Sequence, residues 1–91
     1  MAQVVVTIKI MPKSPDVDLK IIEEKAKEEI TKFGGDTGKV EIEPIAFGLK
    51  AVNLIFVMDE SIGNIDPLES KISEIDGVQS AEVTDVRRAL G

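Results

Sequence analysis

Leu49-Lys50-Ala51-Val52-Asn53-Leu54-Ile55-Phe56-Val57-Met58 puts Val52, Leu54, Phe56 and Met58 at every second position. Successive side chains of an extended chain point to opposite faces, so this period of two predicts a strand with one buried face. Val4-Val5-Val6-Thr7-Ile8-Lys9-Ile10 repeats the pattern, with Val4, Val6, Ile8 and Ile10 on the apolar side, and Pro12 closes it. Between these two runs, residues 39–46 read as a strand interrupted by Pro44. Proline has no N–H to donate to a ladder, which assigns that strand to a sheet edge. Phe47-Gly48 then reads as a hairpin tip. A weaker strand is predicted over 78–86, followed by a tail, Arg87-Arg88-Ala89-Leu90-Gly91.

Two helices fill the gaps. Leu19, Ile22, Ala26, Ile30 and Phe33 recur at spacings of three and four, with Glu23–Lys27 and Glu28–Lys32 pairs on the wet side. Asp16 and Asp18 offer N-caps, and Gly34-Gly35 stops the helix. The second helix is predicted to start at Asn64-Ile65-Asp66-Pro67, with Asp66 as N-cap and Pro67 at the first helical position. Leu68, Ile72 and Ile75 form its apolar stripe and Gly77 its stop. The order β-α-β-β-α-β predicts an α+β, ferredoxin-like sandwich over a single domain, residues 1–91. In it a four-stranded antiparallel sheet carries two helices on one face. The first and third strands lie at the centre of such a sheet. They are the two most apolar runs here, and the proline falls in the second. The sheet face away from the helices carries Val5, Thr7, Lys9, Asn53, Ile55 and Val57, and nothing in the chain is predicted to cover it.

Composition removes much of the catalytic repertoire. The 91 residues contain no Cys, His, Trp or Tyr. Disulfides, thiol nucleophiles, imidazole acid–base chemistry and Ser-His-Asp triads are excluded, and a metal could be held only by oxygen ligands. The 17 acidic and 11 basic residues give a net charge of −6, which repels phosphate backbones and argues against direct nucleic-acid binding. No run reaches the roughly 20 apolar residues of a membrane span, and no signal-peptide pattern opens the chain, which predicts a cytoplasmic protein. Gly34-Gly35-Asp36-Thr37-Gly38-Lys39-Val40 fails as a phosphate loop: Phe33 and Val40 stand where Gly and Ser or Thr are needed, and the segment runs from helix to strand. It reads as a flexible connection. The first strand lacks the aromatics of an RNA-recognition sheet, and Phe56 falls on the core side. Asp59, Glu60, Asn64 and Asp66 do not have calcium-loop spacing.

Two features stand out. The only arginines, Arg87 and Arg88, are adjacent near the C-terminus, and every other basic residue is lysine. Arginine presents a planar fork suited to carboxylate or phosphate. Phe47 stands at a hairpin tip, where an aromatic either tucks back onto the sheet or anchors a partner.

The same segments carry a resemblance. Pro44-Ile45-Ala46-Phe47-Gly48-Leu49-Lys50-Ala51-Val52 resembles the P-[IV]-[AG]-[FY]-G-[IL]-K stretch of the translation elongation factor 1-beta family. Residues 78–88 are similar to that family's last strand. Val6-Thr7-Ile8-Lys9-Ile10-Met11-Pro12 and Ser14-Pro15-Asp16-Val17-Asp18-Leu19 resemble its archaeal form. The resemblance implies a non-enzymatic guanine-nucleotide exchange factor that binds elongation factor 1-alpha and speeds GDP release during translation. It implies no cofactor, no membrane and a monomer when free. It implies partner contacts from Pro44, Phe47, Gly48 and Lys50, and a cation from Arg88, with Arg87, where relatives use a lysine near the partner's magnesium and phosphate site. The rival on this fold is a small-molecule-sensing module of the amino-acid-binding type.

Overall fold

The computed structural model describes residues 2–89. Its elements are β1 (Gln3–Pro12), α1 (Leu19–Phe33), β2 (Asp36–Pro44), β3 (Lys50–Asp59), a 3₁₀ turn (Glu60–Ile62), α2 (Asp66–Ser73) and β4 (Val78–Ala89). The four strands form one sheet in the order β2-β3-β1-β4. β1 pairs antiparallel with both β3 and β4, and β2 pairs antiparallel with β3. The β-branched and apolar runs take the two central places and the proline-bearing strand takes an edge, as their chemistry requires.

The even positions of the central strands make the core. Val6, Ile8 and Ile10 of β1 and Val52, Leu54 and Phe56 of β3 are fully buried. Ile22, Ala26 and Ile30 of α1, with Leu68 and Ile72 of α2, close over them. Among the described residues no polar or charged one is buried. The cohesion is that of apolar area removed from water, about 25 cal/mol per Å².

Local chemistry fixes the helix ends. Asp18 caps α1, its Oδ1 accepting the Lys20 N–H at 3.0 Å. Asp16 does not cap; its own N–H donates to Ser14 Oγ. At the far end Gly34 is left-handed (φ 103°), the Gly35 N–H reaches Ile30 O at 2.9 Å and the Gly34 N–H reaches Thr31 O at 3.1 Å, a Schellman arrangement. Gly35 has a second constraint: a Cβ there would stand 2.9 Å from Ile30 Cγ2 and 3.0 Å from Phe56 Cδ2. Glu23–Lys27 pairs at 2.9 Å, whereas no such contact joins Glu28 to Lys32.

Several expected boundaries move. Asp66 is the first residue of α2 and not its N-cap, which moves Pro67 to the second place; Ile65 is the N-cap, and Asn64 Oδ1 accepts the Asp66 N–H at 3.0 Å. α2 ends at Ser73, before Gly77, so Ile75 packs on the core from beyond the helix. Most of the expected flexible connection after Gly35 is strand. Asp36, Thr37 and Lys39 pair with Val57, Phe56 and Ile55, and a register shift at Gly38 absorbs the irregular residue. The last strand does not end at residue 86: Arg87 lies opposite Val5 and Arg88 opposite Val4. The face away from the helices is better covered than expected. Val5, Thr7, Lys9, Asn53, Ile55 and Val57 are all half-buried, partly because Glu43 reaches across to Lys9 (3.7 Å) and Asn53 (3.0 Å).

A second irregularity ties the edge to the helix layer. Between Thr7 and Ile8 the register on β4 slips from Asp85 to Val83, leaving Thr84 unpaired. There the Val83 N–H donates to Glu69 Oε2 of α2 at 2.7 Å. A hydrogen bond to a charged acceptor is worth about 1.5–3 kcal/mol. Glu69→Ala is therefore expected to lower unfolding free energy by about 1–3 kcal/mol, seen as a reduced urea midpoint at unchanged slope, with Glu69→Gln losing less. An unchanged midpoint in Glu69→Ala contradicts this role.

Candidate functional site

The sequence-selected residues fall at two ends of the sheet. Pro44, Phe47, Gly48 and Lys50 stand at the β2–β3 turn, because Pro44 pairs with Lys50 at the close of that hairpin. Arg88 stands opposite Val4, which is itself opposite Met58. At roughly 3.3 Å per residue, β3 from Lys50 to Met58 runs about 26 Å. The fold joins each group internally and holds the two groups apart, along a molecule 42 Å in its longest dimension.

At the hairpin end, Leu49 N–H donates to Ala46 O (3.0 Å) and Ile45 N–H to Leu49 O (2.8 Å). Both central residues of this turn have positive φ, 59° at Phe47 and 78° at Gly48, as a mirror-image hairpin turn requires. Glycine meets that condition freely; an aromatic L-residue pays about 1–2 kcal/mol. Phe47 gains no burial in return, since it is 95% exposed. Ile42 (46%) and Ile45 (39%) are exposed on this arm too. Sequence reasoning singled out neither as a surface residue, and Ile42 lies opposite the buried Val52. Beside the arm, Pro12, Pro15, Leu19, Gly48 and Lys50 line a cleft of about 210 Å³.

At the other end, neither arginine is a bare charge. Arg87 Nε donates to Asp85 Oδ2 of its own strand at 2.8 Å. Arg88 reaches another element: its Nε donates to Glu60 Oε2 at 3.0 Å and its Nη2 to Glu60 Oε1. The Arg88 hydrogen bond holds the Glu60 carboxyl below its ordinary pKa, and the same bond raises that of Arg88. Next to them, the Ser61 backbone N–H lowers the Asp59 pKa by donating to its Oδ1 at 2.8 Å. Ala2, Asp59, Glu60, Ser61 and Arg88 surround an open hollow of about 380 Å³. Glu60 was also missed in the sequence, being 28 residues from Arg88. Among the described residues no group of three or more acidic side chains converges to hold a metal, and no helix is long and apolar enough to cross a membrane.

Residues 5–89 match the sequence family described as the EF-1 guanine nucleotide exchange domain. The chain belongs to this family. It is 46% identical over 90 residues to elongation factor 1-beta of Methanothermobacter thermautotrophicus, covering 99% of this chain and 100% of that one. It is 39% identical to elongation factor 1-beta of Staphylothermus marinus, covering 97% and 98%. Among solved structures, the C-terminal domain of MgtC from Mycobacterium tuberculosis superposes with a TM-score of 0.63 at 9% identity, covering 97% of this chain and 88% of that domain. The designed protein Foldit4 superposes at 0.62 with 21% identity and 98% coverage of both. These two share the fold alone. With the family established, the small-molecule-sensing alternative is not favoured.

Two measurements check the two ends. Phe47→Gly removes the backbone cost, so its unfolding free energy is expected to rise by up to about 1 kcal/mol, a few degrees in Tm; a fall would contradict the strain. At the other end, the lowered Glu60 pKa means its pairing with Arg88 is complete above the ordinary value of 4.5 and is lost as pH falls below it. A carboxyl NMR titration of Glu60 should have its midpoint below pH 4.5 in the native chain and return towards it in Arg88→Ala.

Proposed function

We propose that this chain, acting as one domain over residues 1–91, binds elongation factor 1-alpha and accelerates its release of GDP, so that GTP can reload it during translation elongation. The observation that carries this is the match of residues 5–89 to a guanine nucleotide exchange domain. The elongation factor 1-beta names of relatives aligned end to end support it. The work is done in the cytoplasm by a free monomer that touches neither nucleic acid nor membrane, a reading that the net charge of −6 supports.

Exchange needs no bond to be made or broken in the protein. A bound GDP is held by phosphate contacts and Mg²⁺. An exchange factor must favour the nucleotide-free partner over the GDP-bound one, since only differential affinity shifts the equilibrium. Each ~1.4 kcal/mol of that difference weakens nucleotide binding about tenfold. The two ends of the sheet divide this task. Phe47, with Ile42 and Ile45, Pro44, Gly48 and Lys50, docks on the partner. Arg88, assisted by Arg87, offers a cation at the phosphate and metal end of the nucleotide site, competing with Mg²⁺ for the same oxygens. A backbone-strained, fully exposed Phe47 suits a residue whose gain comes on binding.

The test is release of a fluorescent GDP analogue from an archaeal elongation factor 1-alpha, with and without this chain. The expected result is acceleration of about tenfold or more at saturation. Phe47→Ala should raise the half-saturating concentration about tenfold, the scale of one buried aromatic, and leave the maximal rate nearly intact. Arg88→Ala should lower the maximal rate. An unchanged release rate at saturating wild-type protein overturns the proposal, and the reverse mutational pattern overturns the division of roles.

A further inference from the structure

Resting on that assignment of Arg88, we infer that Glu60 is a positioning residue for exchange: it grips one edge of the Arg88 guanidinium so that the other edge faces outward, set for an anion.

Arginine carries five N–H donors in a rigid plane. Glu60 takes the edge formed by Nε and Nη2, with Nε at 3.0 Å. The edge formed by Nη1 and the outer hydrogen of Nη2 makes no hydrogen bond within the described residues, and the side chain is 64% exposed. It borders the open hollow lined by Ala2, Asp59, Glu60 and Ser61. A second two-pronged acceptor, a phosphate or carboxylate, fits that free edge without breaking the first pair.

The backbone of Glu60 is held in place. Its N–H donates to Ala2 O at 3.0 Å, pinning the 3₁₀ turn to the entrance of β1. Gly63 N–H closes the turn onto Glu60 O at 3.2 Å, and Asp59 Oδ1 caps it through Ser61. Arg88 is fixed by the β1 pairing opposite Val4. The carboxylate and the guanidinium therefore come from two anchored backbones. Arg87 differs: its partner Asp85 sits two residues away on the same exposed strand edge and gives no such reference. Orienting a long side chain before docking avoids an ordering cost that corresponds to roughly a two- to tenfold change in rate or affinity.

A latch would give the opposite kinetics, because releasing Arg88 would then speed exchange. The experiment measures saturating GDP-analogue release from archaeal elongation factor 1-alpha for wild type, Glu60→Gln, Glu60→Ala, Arg88→Ala and the Glu60→Ala/Arg88→Ala double variant. Melting curves and the Arg88 Nε–H NMR resonance are followed alongside. Glu60→Ala is expected to lower the maximal rate about two- to tenfold with little change in half-saturating concentration. Glu60→Gln should lose less, and the double variant should match Arg88→Ala alone. Melting should be nearly unaltered, while the Nε–H signal, sharp in wild type, should broaden in Glu60→Ala. A rate unchanged or raised in Glu60→Ala, beside a damaged Arg88→Ala, overturns the inference alone; so does a Glu60→Ala effect that persists without Arg88. Full activity in Arg88→Ala overturns instead the assignment beneath it.

Discussion

The antiparallel pairing of β1 with β3 on one side and β4 on the other is the constraint from which the rest of the molecule follows. Val6, Ile8 and Ile10 bury one face of β1 completely, so its register cannot slip by one residue without exposing all three. Once that register is fixed, β3 sets where the β2–β3 turn falls, and β4 carries the C-terminal arginines alongside Val4 and Val5. The irregularity at Thr84 then decides which arginine lies where. It shifts the alternation of β4 by one residue, so that Val83 and Arg88 share the side of Ile8 and Val4. Arg88 meets Glu60 on that side, while Arg87 remains on the other with Asp85.

The functional consequence is spatial. Apolar reach is concentrated at one end of the sheet and guanidinium chemistry at the other, joined by a central strand that spans about 26 Å between them. A rigid sheet can transmit docking at one end into placement at the other without any moving part of its own. For a protein without thiol or imidazole, the proposed division of labour is coherent: the effect on a nucleotide would come from where a cation is put.

Much of this was legible in the sequence. The alternation of Val4–Ile10 and of Leu49–Met58 against solvent predicted the central strands, and Pro44 predicted the edge. Phe56 was correctly placed in the core, and the Gly34-Gly35 stop has both a left-handed φ and a close approach behind it. What was not legible depended on partners distant in the chain. Asp36-Thr37-Gly38-Lys39 has poor strand propensity and becomes strand because β3 offers it a ladder. Arg87 and Arg88 read as a solvated tail because charge carries no strand signal, yet β1 begins early enough to pair with them. Ile42 lies opposite the buried Val52 and is nonetheless exposed, which strand alternation alone does not reveal. The Glu60–Arg88 contact joins a turn to a strand 28 residues later, a separation that local pattern does not bridge.

The central claim is that the β4 end of the sheet works at the partner's nucleotide site while the hairpin arm docks elsewhere on the same molecule. A crystal structure of this chain bound to nucleotide-free elongation factor 1-alpha measures that directly. The account predicts the Arg88 guanidinium at hydrogen-bond distance from the groups that bind phosphate and Mg²⁺, still held by Glu60, with Phe47 buried against a surface roughly 26 Å or more away. A complex in which the β4 end faces solvent and the nucleotide pocket is met by another part of the chain would contradict it.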